Sequence, residues 1–293
     1  MKIVSIIPCG RTIAEATIQN HAVGWMGLDH KEIVKNLKSL SDPRAVEGMA
    51  CFGISRKNTY GVSIPNLRRM AKRIGLNHSL AQQLWSSGIH EARILASMID
   101  NPEMVTEEQM ETWIKDVDSW DICDQCCSNL FDKTKFAHQK ALEWSEKNEQ
   151  FIKRAGFVLM ATLAVHDKKA GDEDFMKFLP LIERESFDDR NFVKKGVNWA
   201  LRQIGKRNVN LNRKAVETAK EIQKLGSKSA RWIASDALRE LTSRPVRTRL
   251  FCRTRRSCLT LMSQGKPMKL TQQLPNLYEA LEHLGTQTDS YVP

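Results

Sequence analysis

The stretch FVKKGVNWALRQIGK, Phe192 to Lys206, decides how this chain is read. At 3.6 residues per turn, each residue advances about 100° around a helix. Val193, Val197, Ala200 and Ile204 then share one side, an ordinary core stripe. Lys195, Trp199, Arg202 and Lys206 share the opposite side, a basic stripe with a large aromatic in it. A tryptophan placed there either packs on a neighbouring element or faces a partner.

Three other stretches look like this one: IHEARILASM (89–98), FIKRAGFVLMA (151–161) and KSARWIASDALR (228–239). Each has a basic residue near the helix start, followed by small and apolar residues. Arg154 and Lys195 lie 41 positions apart, near the ~40–47 period of helix-pair repeats. Such units cannot bury their apolar faces alone, so they stack into a curved solenoid whose inner surface would collect the basic residues. The repeats are degenerate, and a non-repeating helical domain is the alternative.

Punctuation supports helices throughout. Asp42-Pro43 reads as an N-cap followed by proline at the first helical position. Ser63-Ile64-Pro65 opens a helix running to Ile74, with Gly75 as its stop. Gly88 precedes another, which Asn101-Pro102 ends; Asp118 or Ser119 caps WDICDQCC, and Ser227 caps KSARWIASDALREL. Strand signals are scarce. About a dozen helices are expected between Asp29 and Thr242.

The chain of 293 residues divides into a 26–243 repeat domain, an N-terminal extension over 1–25 and a basic C-terminal extension over 244–293, expected to be irregular. Met26 is a possible natural start. The net charge of +11 points to a polyanion, most simply nucleic acid. Residues 244–293 alone carry eight Lys and Arg against three Asp and Glu. Seven cysteines, an odd number, and a start with too short an apolar run for a secretory signal imply reduced thiols in the cytoplasm. No stretch reaches the ~18 apolar residues of a membrane span.

In SWDICDQCC, Trp120 and Asp124 are four apart and share a face. Ile122, Cys126 and Leu130 lie roughly opposite, toward the core. A carboxylate beside an indole can stabilise a cationic ligand; equally, the pair can be a buried tryptophan with a first-turn acid that favours the helix dipole. CDQCC has one CxxC and no second pair, short of the four ligands of a zinc site. Ile94 stands where HExxH needs its second His, and neither a P-loop nor GxGxxG occurs, so no metal and no nucleotide cofactor is expected. Arg154 opens AGFVLMATLAV, apolar on nearly every side. A lone arginine at such a place needs a carboxylate or a phosphate. Arg93 and Arg231 pose the same choice, and their recurrence favours a phosphate track.

In WDICD, the KRA of FIKRAGFVLMA, KKGVNWALRQIGK and GVSIPNLRRMAKRI, residues 26–242 resemble the DNA alkylation repair proteins, the AlkD-like DNA glycosylases. The resemblance implies an all-α, right-handed superhelix of HEAT-like repeats. It also implies excision of purines alkylated at N3 or N7 from double-stranded DNA, without metal or cofactor; a monomer is the default expectation. It places the catalytic aspartate on Asp124, two DNA-facing tryptophans on Trp120 and Trp199, and the site arginine on Arg154. Lys195, Arg202, Lys206, Arg93 and Arg231 would hold phosphates. Phe151 stands where the resemblance would put tryptophan, and Ser63-Ile64 where it would put more polar residues. The competing reading is a helical-repeat scaffold that binds nucleic acid or protein without catalysis.

Overall fold

Asp29 starts the first helix as expected of a cap: its carboxylate accepts from the Glu32 backbone N–H at 2.9 Å. A computed structural model describes residues 29–263. Fifteen α-helices fill the described residues, with two short 3₁₀ turns and no strand. The first eight are α1 (His30–Ser39), α2 (Pro43–Ala50), α3 (Ile64–Ile74), α4 (His78–Ser86), α5 (His90–Ile99), α6 (Glu107–Lys115), α7 (Trp120–Asn129) and α8 (Ala137–Ser145). Then come α9 (Gln150–His166), α10 (Asp172–Met176), α11 (Leu179–Arg184), α12 (Asn191–Gly205), α13 (Val209–Lys224), α14 (Lys228–Leu241) and α15 (Arg244–Ser263).

The boundaries follow local chemistry. Asp42 caps α2, Asn77 caps α4, Thr106 caps α6, Asn208 caps α13 and Ser227 caps α14 through side-chain oxygens on backbone N–H groups. Each is worth about 1 kcal/mol. Gly75 ends α3 at φ 77°, a conformation that strains any residue with a Cβ. Ser119 occupies the N-cap position of α7, but its hydroxyl donates to Asp121 at 2.7 Å, not to the helix backbone.

The helices stack in two layers. In one, α3, α5, α7, α9, α12 and α14 each pack on the next. All four of the look-alike stretches lie in this layer, as α5, α9, α12 and α14. In the other layer α4 and α8 pack behind α5 and α9, and α13 behind α12 and α14. An aromatic ladder runs through that layer: Trp85 stacks on Trp113 at 4.1 Å, Trp113 meets Phe131, and Phe131 meets the edge of Trp144. This is the helix-pair solenoid that the periodicity implied.

Helix α9 is the axis of the core. Every residue from Ile152 to Ala164 is buried, consistent with its all-round apolar pattern. Its neighbour α8 comes so close that a Cβ on Gly156 would lie 2.4 Å from the Ser145 backbone nitrogen. On α12 the stripe Val193, Val197, Ala200 and Ile204 is fully buried; each such side chain contributes on the order of 1.5–3 kcal/mol, less for alanine.

One expectation is corrected. The C-terminal extension is not irregular throughout: the chain remains helical from Arg244 to Ser263, packing α15 on α13 and α14. The amphipathic period is poor there, because arginines interrupt it, but Val246 and Leu250, four apart, are both buried. The extensions over 1–25 and beyond Ser263 lie outside the described residues.

Candidate active site

Asp124 sits in the second turn of α7, one turn after Trp120. Arg154 sits in the second turn of α9. Because α7 and α9 pack side by side, the two side chains meet. Arg154 Nε donates to Asp124 Oδ1 at 2.9 Å and Nη2 donates to Oδ2 at 2.8 Å, a bidentate pair. The remaining amino group, Nη1, donates to the Phe192 carbonyl at the start of α12, at 2.5 Å. The arginine's choice between carboxylate and phosphate is thus made: its partner in the free protein is Asp124.

Burial is unequal. The Arg154 side chain is 6% exposed and that of Asp124 17% exposed. Arg154 is sealed by α12, where a Cβ on Gly196 would lie 3.6 Å from the arginine Cγ. Asp124 keeps part of its side-chain surface open to solvent. A carboxylate has about four acceptor positions, and the guanidinium occupies two. Burial pushes the Asp124 carboxyl above the ordinary aspartate range, with Arg154 acting against that rise. Burial alone would depress Arg154, but Asp124 outweighs it and holds the guanidinium protonated.

Trp120 is half-buried, and its indole N–H donates to the Phe52 carbonyl at 3.1 Å. Phe52 itself is 70% exposed. The next residue, Gly53, is at φ 82°, and a Cβ there would lie 3.2 Å from the Phe192 ring. The turn after α2 therefore touches the first turns of both α7 and α12. Phe151 packs against the same Phe192 ring, centroids 5.7 Å apart. Trp199 is also half-buried and rests on the core from α12. The tryptophan in the quoted stretch thus packs on its neighbours with one part and meets solvent with the rest.

The basic residues divide. Lys195 is exposed and Arg231 is exposed, touching only the Gly226 carbonyl. Arg202 is engaged by Asp236 at 3.0 Å and by Glu240; Lys206 is engaged by Glu240 at 2.7 Å. Arg93 stacks on Trp85, 5.2 Å from the ring centroid, and donates to the Asp116 carbonyl at 2.8 Å. Cys123, Cys126 and Cys127 are buried free thiols, and burial pushes the Cys126 and Cys127 thiols well up. Among the described residues no three His, Cys, Asp or Glu cluster as a metal site would require.

The model of a family described as DNA alkylation repair enzyme matches residues 33–241. The chain belongs to that family. Trp120, Asp124 and Arg154 lie inside the matched span, and α15 lies outside it. An uncharacterized protein of Listeria innocua serovar 6a is 23% identical over 193 residues, covering 64% of this chain and 84% of its own length. A solved structure superimposes with a TM-score of 0.63 at 21% identity, covering 73% of this chain and 96% of that one. It is described as a new family of proteins related to the HEAT-like repeat DNA glycosylases with affinity for branched DNA structures. The fold is accordingly a HEAT-like helical repeat.

Two partners of this site carry no side-chain signal in the sequence: the carbonyls of Phe52 and Phe192. Trp232 on α14, 41% exposed with Lys194 over its ring at 5.5 Å, was legible in KSARWIASDALR but is singled out only by its exposure. No helix among the described residues is long and apolar enough to cross a membrane.

Proposed function

We propose that this member of the DNA alkylation repair family is a DNA glycosylase that hydrolyses the N-glycosidic bond of cationic N3- or N7-alkylated purines in double-stranded DNA. The observation that carries this reading is the Asp124 carboxylate, fixed in place by Arg154 on a side chain that is not fully buried. The arginine is sealed under α12 and tied to the Phe192 carbonyl, so the acid it grips is preorganised. An alkylated purine already bears positive charge. When its bond to C1′ breaks, the bonding electron pair leaves with the base, which departs neutral. The sugar takes on oxocarbenium character. Asp124 stabilises that cation and orients a water toward C1′; the water's proton passes to Asp124 or solvent, leaving a free base and an abasic site.

One carboxylate ~4 Å away at an effective dielectric near 20 is worth about 4 kcal/mol, roughly a thousandfold in rate. The Arg154 charge offsets part of this, so the exposed part of Asp124 must point at the sugar. Trp120 and Trp199 contact deoxyribose and backbone on either side. Lys195 and Arg231, which have no carboxylate partner among the described residues, hold phosphates first. Arg202, Lys206 and Arg93 can do so only by exchanging present contacts. The protein acts as a cytoplasmic monomer without metal or cofactor.

The competing function is DNA binding without catalysis. It draws support from the ion pair itself, since a neutralised carboxylate is a weaker catalyst. Incubation with methylated duplex DNA followed by chromatography separates the two. A glycosylase releases 7-methylguanine or 3-methyladenine, and Asp124→Asn abolishes release while DNA binding persists. A binder shows salt-dependent affinity and no free base. Unchanged release by Asp124→Asn would remove the assigned role.

A further inference from the structure

Helix α9 has two ends. Arg154 marks the first. At the other, eleven residues and about 16 Å away along the axis, a cleft of about 810 Å³ opens between the last turn of α9, the last turn of α12 and α15. Its lining includes Lys168, Lys206, Arg207, Arg249 and Arg253, together with Ala164, Val165, Gln203 and Asn208, and contains no acid. Five cations around one cleft repel one another, and helix C-termini supply partial negative charge that offsets only a fraction.

The local partners of Lys168, Arg207 and Arg249 leave their charge in place. Lys168 donates to the Val165 carbonyl, a neutral oxygen. Arg207 donates to the carbonyls of Ala164 and Ala170 at 3.1 and 2.8 Å and stacks on Phe175 at 4.3 Å. Its guanidinium is thereby held rigid with no carboxylate against it; Asp167 and Asp172 act on it only through longer-range attraction. Lys206 is ion-paired, to Glu240. Arg249 is exposed and has no carboxylate partner among the described residues. Two of the five cations, Arg249 and Arg253, lie beyond the residues that match the family model, so the cleft is a feature of this chain's extension as much as of the shared fold.

We infer that this cleft is a phosphate site for the backbone of bound duplex DNA, separate from the Asp124 site. The guanidinium of Arg207, held rigid, and the exposed charges of Lys168 and Arg249 match phosphate oxygens. The cleft joins the basic row of α12 at Lys206, so it continues a surface and is not isolated from it. A separation of about 16 Å corresponds to roughly five base pairs at 3.4 Å each. The cleft therefore lies within reach of the same duplex and holds its backbone away from the reacting nucleotide. This inference rests on DNA as the partner, not on base release.

The test uses the full chain and an unmodified duplex of about 24 base pairs, followed by fluorescence anisotropy across a salt series. Lys168→Gln with Arg249→Gln removes two exposed charges without touching the core. Affinity should fall about tenfold at low salt, and the slope of log K against log salt should become shallower by about two. Lys31→Gln with Lys35→Gln, two exposed charges on α1 at the other end of the stack, should change affinity less than twofold. Equal effects of the two double variants would overturn the site. Titration of the wild-type protein with inorganic phosphate alone distinguishes the source: submillimolar binding would make the cleft a free-phosphate site and overturn the DNA assignment. A wild-type protein that fails to bind duplex at low salt overturns both this inference and the DNA-directed function, whereas binding without base release overturns only the latter's catalytic step.

Discussion

The α7–α9 joint and the α12–α14 joint join neighbouring helices of the same layer with ions of opposite order. At the first, the acid comes earlier in the chain and the base later: Asp124 and Arg154, thirty residues apart, 17% and 6% exposed. At the second, the base comes earlier: Arg202 with Asp236 and Glu240, and Lys206 with Glu240. There Arg202 is 32% exposed and Glu240 26%. The first joint is a single bidentate pair with its arginine sealed and tied to a backbone carbonyl. The second is a wetter network of two cations and two acids, with Asn198 donating to Asp236 at 2.7 Å as well. Desolvation separates them. Water screens the second, which acts as a cross-brace; it is largely excluded from the first, where charge is costly to bury, hard to remove and useful for chemistry.

The sharpest way to break this contrast is Asp124→Asn, expected to lower base release by up to about a thousandfold. The wild-type pH profile belongs with it. Only the ionised carboxylate stabilises a cation, and its pKa is raised by burial. Release should therefore fall, as pH drops, at values above the ordinary aspartate range, not within it.

Stability comes next. Arg154→Ala leaves Asp124 unpaired in a largely dry place and should cost about 3–5 kcal/mol in denaturant unfolding. Glu240→Gln at the wetter joint should cost about 1 kcal/mol or less. A coupling energy from a double-mutant cycle that is no larger for Asp124–Arg154 than for Arg202–Glu240 would erase the distinction.

A third joint, α5–α7, tests the electrostatics with pH. His90 Nε2 lies 2.8 Å from Asp121 Oδ2, and the histidine is 6% exposed. Burial lowers the His90 pKa, but Asp121 outweighs it and the net shift is upward. Burial likewise raises Asp121, and His90 with Ser119 overturns that, holding it low. Histidine's raised folded pKa stabilises the fold fully below its unfolded value. That contribution is lost as pH rises through the folded value. The Tm difference between wild type and His90→Gln should be largest near pH 6 and shrink toward alkaline pH. A constant difference would mean His90 acts by packing alone. The smallest expected change is in Lys195→Gln: stability unaltered, because the side chain is exposed, and duplex affinity reduced a fewfold with a salt slope shallower by about one.

Much of this was legible in residue order. The stop at Gly75, the caps at Asp42 and Ser227, and the stripe Val193–Val197–Ala200–Ile204 are all local facts. So is the likeness of α5, α9, α12 and α14, which share one layer and hence one pattern of burial. Helix α7 escaped that comparison because WDICDQCC lacks a basic start. Helix α15 escaped because only the pair Val246 and Leu250 marks its buried side. The α2–α3 turn that meets Trp120 and Phe192 could not be anticipated, since its contribution is a carbonyl and a glycine.

Residue order by itself determined the helices, their solenoid stacking and which side chains carry charge, because period, caps and small residues act within a few turns. It also marked Asp124 and Arg154 as residues in need of partners. Tertiary structure alone decided that they partner each other, that Arg202 and Lys206 are spoken for by α14, and that five cations from just past the ends of α9 and α12 and from α15 converge on one cleft. The physical reason is range: propensity and amphipathicity are read over one helix, whereas the state of a charge depends on what a helix thirty or forty residues away brings to within 3 Å of it.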